Sequence, residues 1–555
     1  MEFLFRKTST YQAIKWENVF KMTGLLKTFF WILFWLFIVW AMFNYFILAE
    51  NLNSQEKNLA WAMFFFCFAT FFWESKLFFE KKLKKASLKY SLKQALLHPS
   101  EFNWAGFFDF WVGKVFKKAK KISRKNKEIS LKNAMLLALA NSKLADVDFV
   151  FYRAQLSKKL LYKFCLQEIG KINEKQEFGF EDIILEAGQN ATSSNREKIT
   201  AGDLLVAFAF LDPVFEKFLI ENDLSKGDIK NLVDWFYKEK FKREKLSCWW
   251  DYSNLLTRGS VGRDFASGYT ITLDRFSFDW KDKIGKNIFR EIVGHKEEIK
   301  QIERILEKEK NKNVLLVGEP GVGKGSIVEA IAQKAILGNS VEAVNHKRII
   351  QFDISALKSA SQSPEQAEAF LEKCFAETIK AKNIILVIND FHNYVAPISQ
   401  PGMINITAIM ARYLPLANFR VIGITTFDGF HSYIERNSSF GNLFEKVEAT
   451  EITEQETLVL MEQFVPFFEA KNKKYISFKA LKEILKMSSR YMAQNAFPEK
   501  AIRLLDESLV YLKMYGKGNV LKAQHIQKVI SDKVKIPLEE LEAKEKQKLL
   551  GLEGL

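Results

Sequence analysis

Three glycines and one lysine set the first chemical constraint on this 555-residue chain. The run Gly318-Glu319-Pro320-Gly321-Val322-Gly323-Lys324 fits the spacing G-x-x-x-x-G-K, with the apolar stretch Asn313–Val317 before it and a helix-forming stretch after it. Glycines at that spacing let a loop curl until successive backbone N–H groups converge on phosphate oxygens. The lysine ammonium then reaches the outer phosphates, and the positive end of the following helix adds to the field. The chemistry implied is the holding of a nucleotide polyphosphate, ATP or ADP, by Gly318, Glu319, Pro320, Gly321, Val322, Gly323, Lys324, Gly325 and Ser326.

Breaking that polyphosphate requires more. A hydroxyl directly after the loop lysine ordinarily holds Mg²⁺, but Gly325 has none. Ser326 is one position further along a helix, which turns its side chain about 100° away. The apolar run Ile384–Ile388 ends in Asn389-Asp390. A neutral amide is a poorer ligand for a hard cation than a carboxylate, and Asp390 is short for a residue that must polarise an attacking water. The candidate catalytic residues at this strand end are Asp390 and Asn389, with Asp390 also the candidate magnesium ligand; Thr425 joins them only through the family resemblance described next. Whether Mg²⁺ accompanies the nucleotide stays open at this point.

The wider pattern resembles a known family. The segments IVGHKEEIKQIERILEKEKNKNVLLVGEPGVGKGSIVEAIAQKAILGN, RIIQFDISAL, IILVINDFH, FRVIGITTFDGFHSYIE and FPEKAIRLLDESL occur in this order between residue 292 and residue 509. Together they resemble the first AAA+ module of the Clp ATPases over residues 286–555. The resemblance implies an α/β fold: a P-loop AAA+ large subdomain at 286–450, with a parallel sheet flanked by helices, then a small helical lid at 451–533. A connector-like tail at 534–555 implies a second module that has been lost, lies on another polypeptide, or continues beyond the given sequence. Ile292 and Val293 are implied to line an adenine pocket. Thr425 and Thr426 are implied to be sensor residues facing the γ-phosphate, and Glu499, Lys500 and Ala501 a lid motif approaching the nucleotide. Assembly into a homo- or hetero-oligomeric ring is implied as well.

Two further departures join those at the magnesium ligands and the catalytic acid. Asn442-Leu443-Phe444 stand where the family carries its arginine finger, a group worth roughly 10³ to 10⁵ in phosphoryl-transfer rate. In the substrate-gripping loop, SASQSPEQAEAF places Ser363 where an aromatic residue belongs. The expectation is a membrane-anchored Clp-like protein that binds ATP or ADP as a conformational or assembly signal, with weak or absent hydrolysis. The alternative is an active protein unfoldase or remodelling chaperone at the membrane, in a mixed ring with a complete Clp subunit.

The membrane enters from the first 85 residues, expected to form an anchor of two transmembrane helices at about 28–48 and 59–79. Thr28–Leu48 contains no charged residue, and its length as a helix, about 32 Å, matches a bilayer core. It is too long for the apolar core of a signal peptide. Leu59–Trp73 is shorter, about 22 Å, and competes with an interfacial or re-entrant reading. Lys and Arg crowd the outer flanks of the pair while the intervening loop holds only Lys57, so both flanks and the AAA+ module are expected on the cytoplasmic side of a cell membrane.

The basic juxtamembrane segment 86–129 contains FKKAKKISRKNK and is read as touching the anionic inner leaflet or as a solvated face. No nucleic-acid reading motif accompanies it, so no nucleic acid is expected even though the formal net charge is +16. Residues 130–245 show apolar positions at helical spacing. Within them, FEDIILEAGQNATSSNREKITAGDLLVAFAFLDPVFEKFLIENDLSKGDIK resembles the N-terminal repeat of Clp unfoldases, which implies binding of protein substrates or adaptors; a generic helical bundle is the plainer reading. Residues 246–285 lack periodicity and are read as a linker. Four scattered cysteines suggest neither a disulfide framework nor a zinc site.

Overall fold

A computed structural model describes residues 3–44, 52–85, 88, 90–126, 129–169, 179–248, 250–251, 254–255, 270–284, 292–395, 406–516 and 518–535. The chain divides into two compact units, Met1–Lys238 and Glu239–Leu555. The end of the first predicted span, most of the loop after it and nearly all of the connector-like tail lie outside the described residues.

In the first unit, helices Ser9–Phe43 and Leu52–Phe78 run alongside each other. Ala62 and Ala69, two turns apart, are buried in the seam, where small side chains let helix backbones approach. Phe30 fits between Phe65, Phe68 and Phe72, with ring centroids 5.3–6.1 Å apart. The outer face is greasy: Leu25, Ile32, Leu36 and Val39 are 58–72% exposed. Both helices are long and apolar enough to cross a membrane.

The first helix begins at Ser9, well ahead of the expected Thr28, with Thr8 accepting from the Tyr11 amide as its cap. The early turns are polar and are held by protein. Lys114 Nζ lies 2.5 Å from Glu17, and a side chain at Gly113 would collide with Ile14.

A second correction concerns the segment 86–129. Phe110–Lys125 is a helix with Phe110, Val112, Val115, Phe116 and Ala119 buried, packed on the helix Leu131–Ala140. The helical bundle thus starts upstream of residue 130. Its basic residues, among them Lys117, Lys118, Lys120 and Lys121, are the exposed stripe of that amphipathic helix. Further along, Thr200 caps the helix Ala201–Leu211 through a reciprocal pair with Asp203. Asp203 is fully buried and is compensated by Arg196 at 2.6 Å and Asn190 at 2.8 Å.

The second unit is built on a six-stranded sheet. β2 (Asn313–Val317), β3 (Arg348–Phe352), β4 (Ile384–Ile388), β5 (Val421–Thr425) and β6 (Phe444–Glu448) are parallel in the order β3-β4-β5-β2-β6. The three central strands are buried at every residue, as expected of continuous apolar runs covered by helices on both faces. Alternate residues of β2 feed two cores: Leu315 and Val317 pack with Phe352, Phe375 and Phe419, whereas Val314 and Leu316 pack with Ile302, Val328 and Ile331. Helices from Glu454 to Val534 form the lid, around a small parallel ladder of β7 (Tyr475–Ile476) and β8 (Val520–Leu521).

The sheet is mixed rather than purely parallel, because β1 (Ser277–Asp279) lies antiparallel against β3. This overturns the linker reading for 271–284, where helices Ile271–Arg275 and Trp280–Ile284 flank the strand and bury Leu273 and Trp280. Arg348 clamps the segment, donating to Thr270, Asp274 and Asp279 at 3.0–3.1 Å, while Glu377 accepts from the amides of Thr272 and Leu273. A three-residue strand is too short to reveal alternation in the sequence. Leu273→Ala should lower the stability of this sheet by about 2–5 kcal/mol, the range for emptying a buried leucine site. Urea-dependent hydrogen exchange on β3 and β4 reads the change, and a linker role predicts none.

Candidate nucleotide-binding site

β2 ends at Val317 and the chain turns through Gly318–Gly323 before the helix Lys324–Leu337 begins. Gly321 (φ +88°) and Gly323 (φ +102°) sit in the left-handed region, open to glycine at little steric cost. A β-carbon at Gly321 would also strike the Glu499 carboxylate, 2.7 Å away. The Gly318 amide donates to the Thr425 carbonyl at 3.3 Å and ties the loop to the end of β5. Lys324 Nζ donates to the carbonyls of Gly318 (2.6 Å) and Glu319 (2.8 Å), so the ammonium rests inside the curl of its own loop. Burial pulls its pKa below the usual lysine value, opposed by the nearby charges of Glu319 and Asp390.

Two spaces flank this loop. The first is an apolar pocket lined by Ile292, Val293, Ile299, Ile327, Ile452 and Leu460, along with Gly323 and Ser326. Its lining is of the apolar kind that packs against a flat aromatic base. His295 Nε2 meets the Val322 carbonyl at 2.9 Å, which couples the Ile292–His295 segment to the P-loop. His295 lies within the segment IVGHKEEIK, where its type and spacing alone point to no role; the fold supplies one.

The second space is a wider, more open cleft whose lining includes the polar and charged residues Lys324, Asn389, Asp390, Thr425, Thr426 and Glu499 along with Pro320, Gly321 and Gly325. Gly323 borders both spaces, Gly325 faces the cleft and Ser326 the apolar pocket, so the one-residue offset separates the serine from Asn389 and Asp390. Of the remaining P-loop residues, Val322 turns inward and is buried, while Gly318 and Glu319 contribute the carbonyls that hold Lys324.

Asn389 and Asp390 follow β4 on an exposed turn, with Asp390 left-handed at φ +48°. Thr425 is buried at the end of β5, its hydroxyl 3.0 Å from His392 Nδ1. Thr426 caps the next turn by accepting from the Gly429 amide.

The lid motif divides. Glu499 overhangs the P-loop, but Lys500 turns to Glu451 at 3.0 Å, with its ammonium 3.8 Å from the Phe497 ring centroid, and Ala501 is buried in the lid. The cleft also receives Trp280 and Lys283 from the supposed linker, and Lys471 and Arg503 from the lid. Arg503 falls within the quoted segment FPEKAIRLLDESL without a role assigned to it, and the other three lie outside every motif; only the fold brings the four to the cleft.

Magnesium finds a thin donor set here. Gly325 offers no oxygen from a side chain, Asn389 an amide and Asp390 one carboxylate. Among the described residues, no group of three or more His, Cys, Asp or Glu could hold a metal. The residues present do not fit the usual pairing of a loop hydroxyl with a strand carboxylate.

The remaining departures are structural as well. Asn442 is exposed at the end of the helix Ser438–Gly441, the Leu443 carbonyl accepts from Asn313 at 3.2 Å, and Phe444 is buried at the start of β6. Ser363 caps the helix Pro364–Ala381 by accepting from the Gln366 amide at 3.3 Å, so a capping position occupies the place of the gripping aromatic.

Glu451 fixes the lid motif by accepting from the Phe497 amide at 2.6 Å and from Lys500. Burial pushes its pKa up, but those two donors outweigh it and hold the carboxyl below its usual value of 4.5. A depressed carboxylate pKa contributes stability above the unfolded value that is lost as pH falls through the folded one. Protection of the Phe497 amide from hydrogen exchange should therefore drop on acidification below about pH 4.5. In Glu451→Ala the protection should be low and independent of pH over that window.

Comparison with known proteins agrees with this geometry. Residues 314–447 match the model of the ATPase family associated with various cellular activities (AAA), and residues 453–552 match the AAA lid domain. The chain is 27% identical over 414 residues to the chaperone protein ClpB of Helicobacter hepaticus, covering 73% of this chain and 46% of that one. It is 31% identical over 272 residues to the ATP-dependent Clp protease ATP-binding subunit ClpC of Staphylococcus aureus, covering 48% and 33%. The chain thus spans between a third and a half of the length of these curated relatives. Among solved structures, Hsp104 with ATPγS and FITC casein in the closed state aligns at 24% identity and TM-score 0.45, over 50% of this chain and 48% of that one. The S. cerevisiae Hsp104–ADP complex aligns at 23% and 0.46, over 51% and 48%. With the P-loop seated between sheet and lid, residues 314–447 match a AAA domain and residues 453–552 a AAA lid, in a chain similar to the Clp chaperones.

Proposed function

We propose that this protein is a membrane-anchored, Clp-like AAA protein that binds ATP or ADP and uses the occupancy as a conformational or assembly signal, with weak or absent hydrolysis. The observation that carries the reading is the contrast within one site. The binding half has a curled glycine loop, a seated Lys324 and an apolar pocket beside it. The hydrolytic half has Gly325 opposite Asn389-Asp390, an exposed Asn442 at the finger position and Ser363 in a helix cap. Binding energy without transition-state groups gives occupancy rather than turnover. Glu499 supports the signalling role, because the lid motif touches the loop and anything in the cleft would bear on the lid.

The anchor is read from exposed apolar faces on the two long helices, which a soluble core would have covered. Their flanking lysines favour a cytoplasmic AAA module. The exposed basic stripe of Phe110–Lys125 suits an anionic inner leaflet. The helical bundle is assigned to protein substrates or adaptors, and the AAA module to a homo- or hetero-oligomeric ring.

Lys324→Ala in the full chain should weaken ATP and ADP binding at least about tenfold, the scale of one charge-assisted phosphate contact. Unchanged affinity by calorimetry would defeat the reading. Steady-state ATPase should sit at background. Robust turnover abolished by Asp390→Asn would instead identify an active remodelling ATPase, with its finger supplied by another subunit.

A further inference from the structure

The donor set that fails magnesium shares its cleft with a set of cations to which the sequence motifs assigned no role. Lys283 extends from the helix Trp280–Ile284, its ammonium 4.2 Å from the Trp280 ring centroid. Lys471 lies in the last turn of the helix Glu454–Asn472 and is exposed. Arg503 follows Glu499 by one turn on the helix Glu499–Met514, loosely paired with Glu507 at 3.4 Å and 60% exposed. All three line the same cleft as Lys324, Asn389 and Asp390.

A nucleotide polyphosphate brings three or four negative charges into a partly desolvated cleft, and something must meet them. In P-loop proteins the metal does much of that, held by a hydroxyl and a carboxylate. Here neither ligand is complete, whereas long, flexible cationic stems approach from the sheet edge and from the lid. The cleft's carboxylates, Asp390, Glu499 and Asp506, sit on shorter stems and cannot follow the phosphates as Lys and Arg can. An exposed pair such as Arg503–Glu507 is worth about 1 kcal/mol or less, so the guanidinium is readily drawn to phosphate.

We propose that the cleft neutralises the nucleotide polyphosphate with Lys283, Lys471 and Arg503 beside Lys324, and that binding does not require magnesium. This rests on the nucleotide-binding reading and deepens it. Recruiting Lys471 and Arg503 draws the lid onto the phosphates, so that lid closure takes the place that metal coordination holds in a hydrolysing enzyme.

Calorimetry on the detergent-solubilised full chain, titrated with ATP and with ADP in excess magnesium or in EDTA, tests the idea. The affinities in the two conditions should agree within about threefold, well under one charge-assisted contact. Lys471→Met with Arg503→Met should weaken binding in EDTA by about ten- to a hundredfold, with an unchanged urea midpoint because both side chains are exposed. Conversely, Gly325→Thr with Asn389→Asp should create magnesium dependence. A β-carbon at Gly325 meets nothing within 4 Å, so the threonine has room.

Loss of binding in EDTA with tight binding in magnesium overturns the proposal and leaves the nucleotide reading standing. A double lysine–arginine variant that binds like the parent in EDTA also overturns it. Absence of binding under both conditions defeats the nucleotide reading itself.

Discussion

The turn from β2 into the helix Lys324–Leu337 is the constraint on which the rest of the site depends. Two left-handed glycines close together curl the loop, and Lys324 donates to the carbonyls of Gly318 and Glu319 within that curl. Such a loop is stable only if its two ends are rigid. The strand end is fixed by parallel pairing with β5 and β6, and the helix is fixed by packing on the Val314 face of the sheet. Everything that approaches the loop comes close because no side chain stands in the way: the Glu499 carboxylate over Gly321 and the imidazole of His295 beside Gly323.

Holding a polyphosphate and cutting it draw on different parts of this framework. Holding depends on one contiguous loop, so a short stretch of sequence is enough to preserve it. Cutting depends on side chains from the ends of separate strands and from the far edge of the sheet, each free to change without disturbing the core. Gly325 faces open space, Asn389 and Asp390 lie on an exposed turn, and Asn442 ends a surface helix. Their substitution carries no packing penalty. Ser363 has a local role, since its hydroxyl satisfies a helix terminus that an aromatic side chain would leave open.

In the first unit, polar and apolar surfaces are divided along single helices. Ser9–Phe43 is held by protein contacts in its early turns and becomes apolar on all sides later. Phe110–Lys125 buries one face and presents lysines on the other, so its charge is a consequence of amphipathic folding. The buried Asp203–Arg196–Asn190 group fixes one arrangement of the helices after residue 180, because a charge left unpaired there would be strongly destabilising.

The sequence by itself determined whatever is local and periodic. The P-loop was legible because its spacing is contiguous, the central strands because burial on both faces leaves unbroken apolar runs, and the long apolar helices because their length exceeds any chance run. Ile292 and Val293 were placed by resemblance and do line the apolar pocket. Only the tertiary structure decided which residues face the phosphate cleft from a distance. Lys283, Lys471 and Arg503 are ordinary surface cations in the sequence, β1 is too short to show a period, and the basic stretch at 116–125 reads as free charge until its buried face is seen. The reason is physical: local backbone preference acts over a few residues, whereas the convergence of side chains from a sheet edge and a lid is set by packing across hundreds.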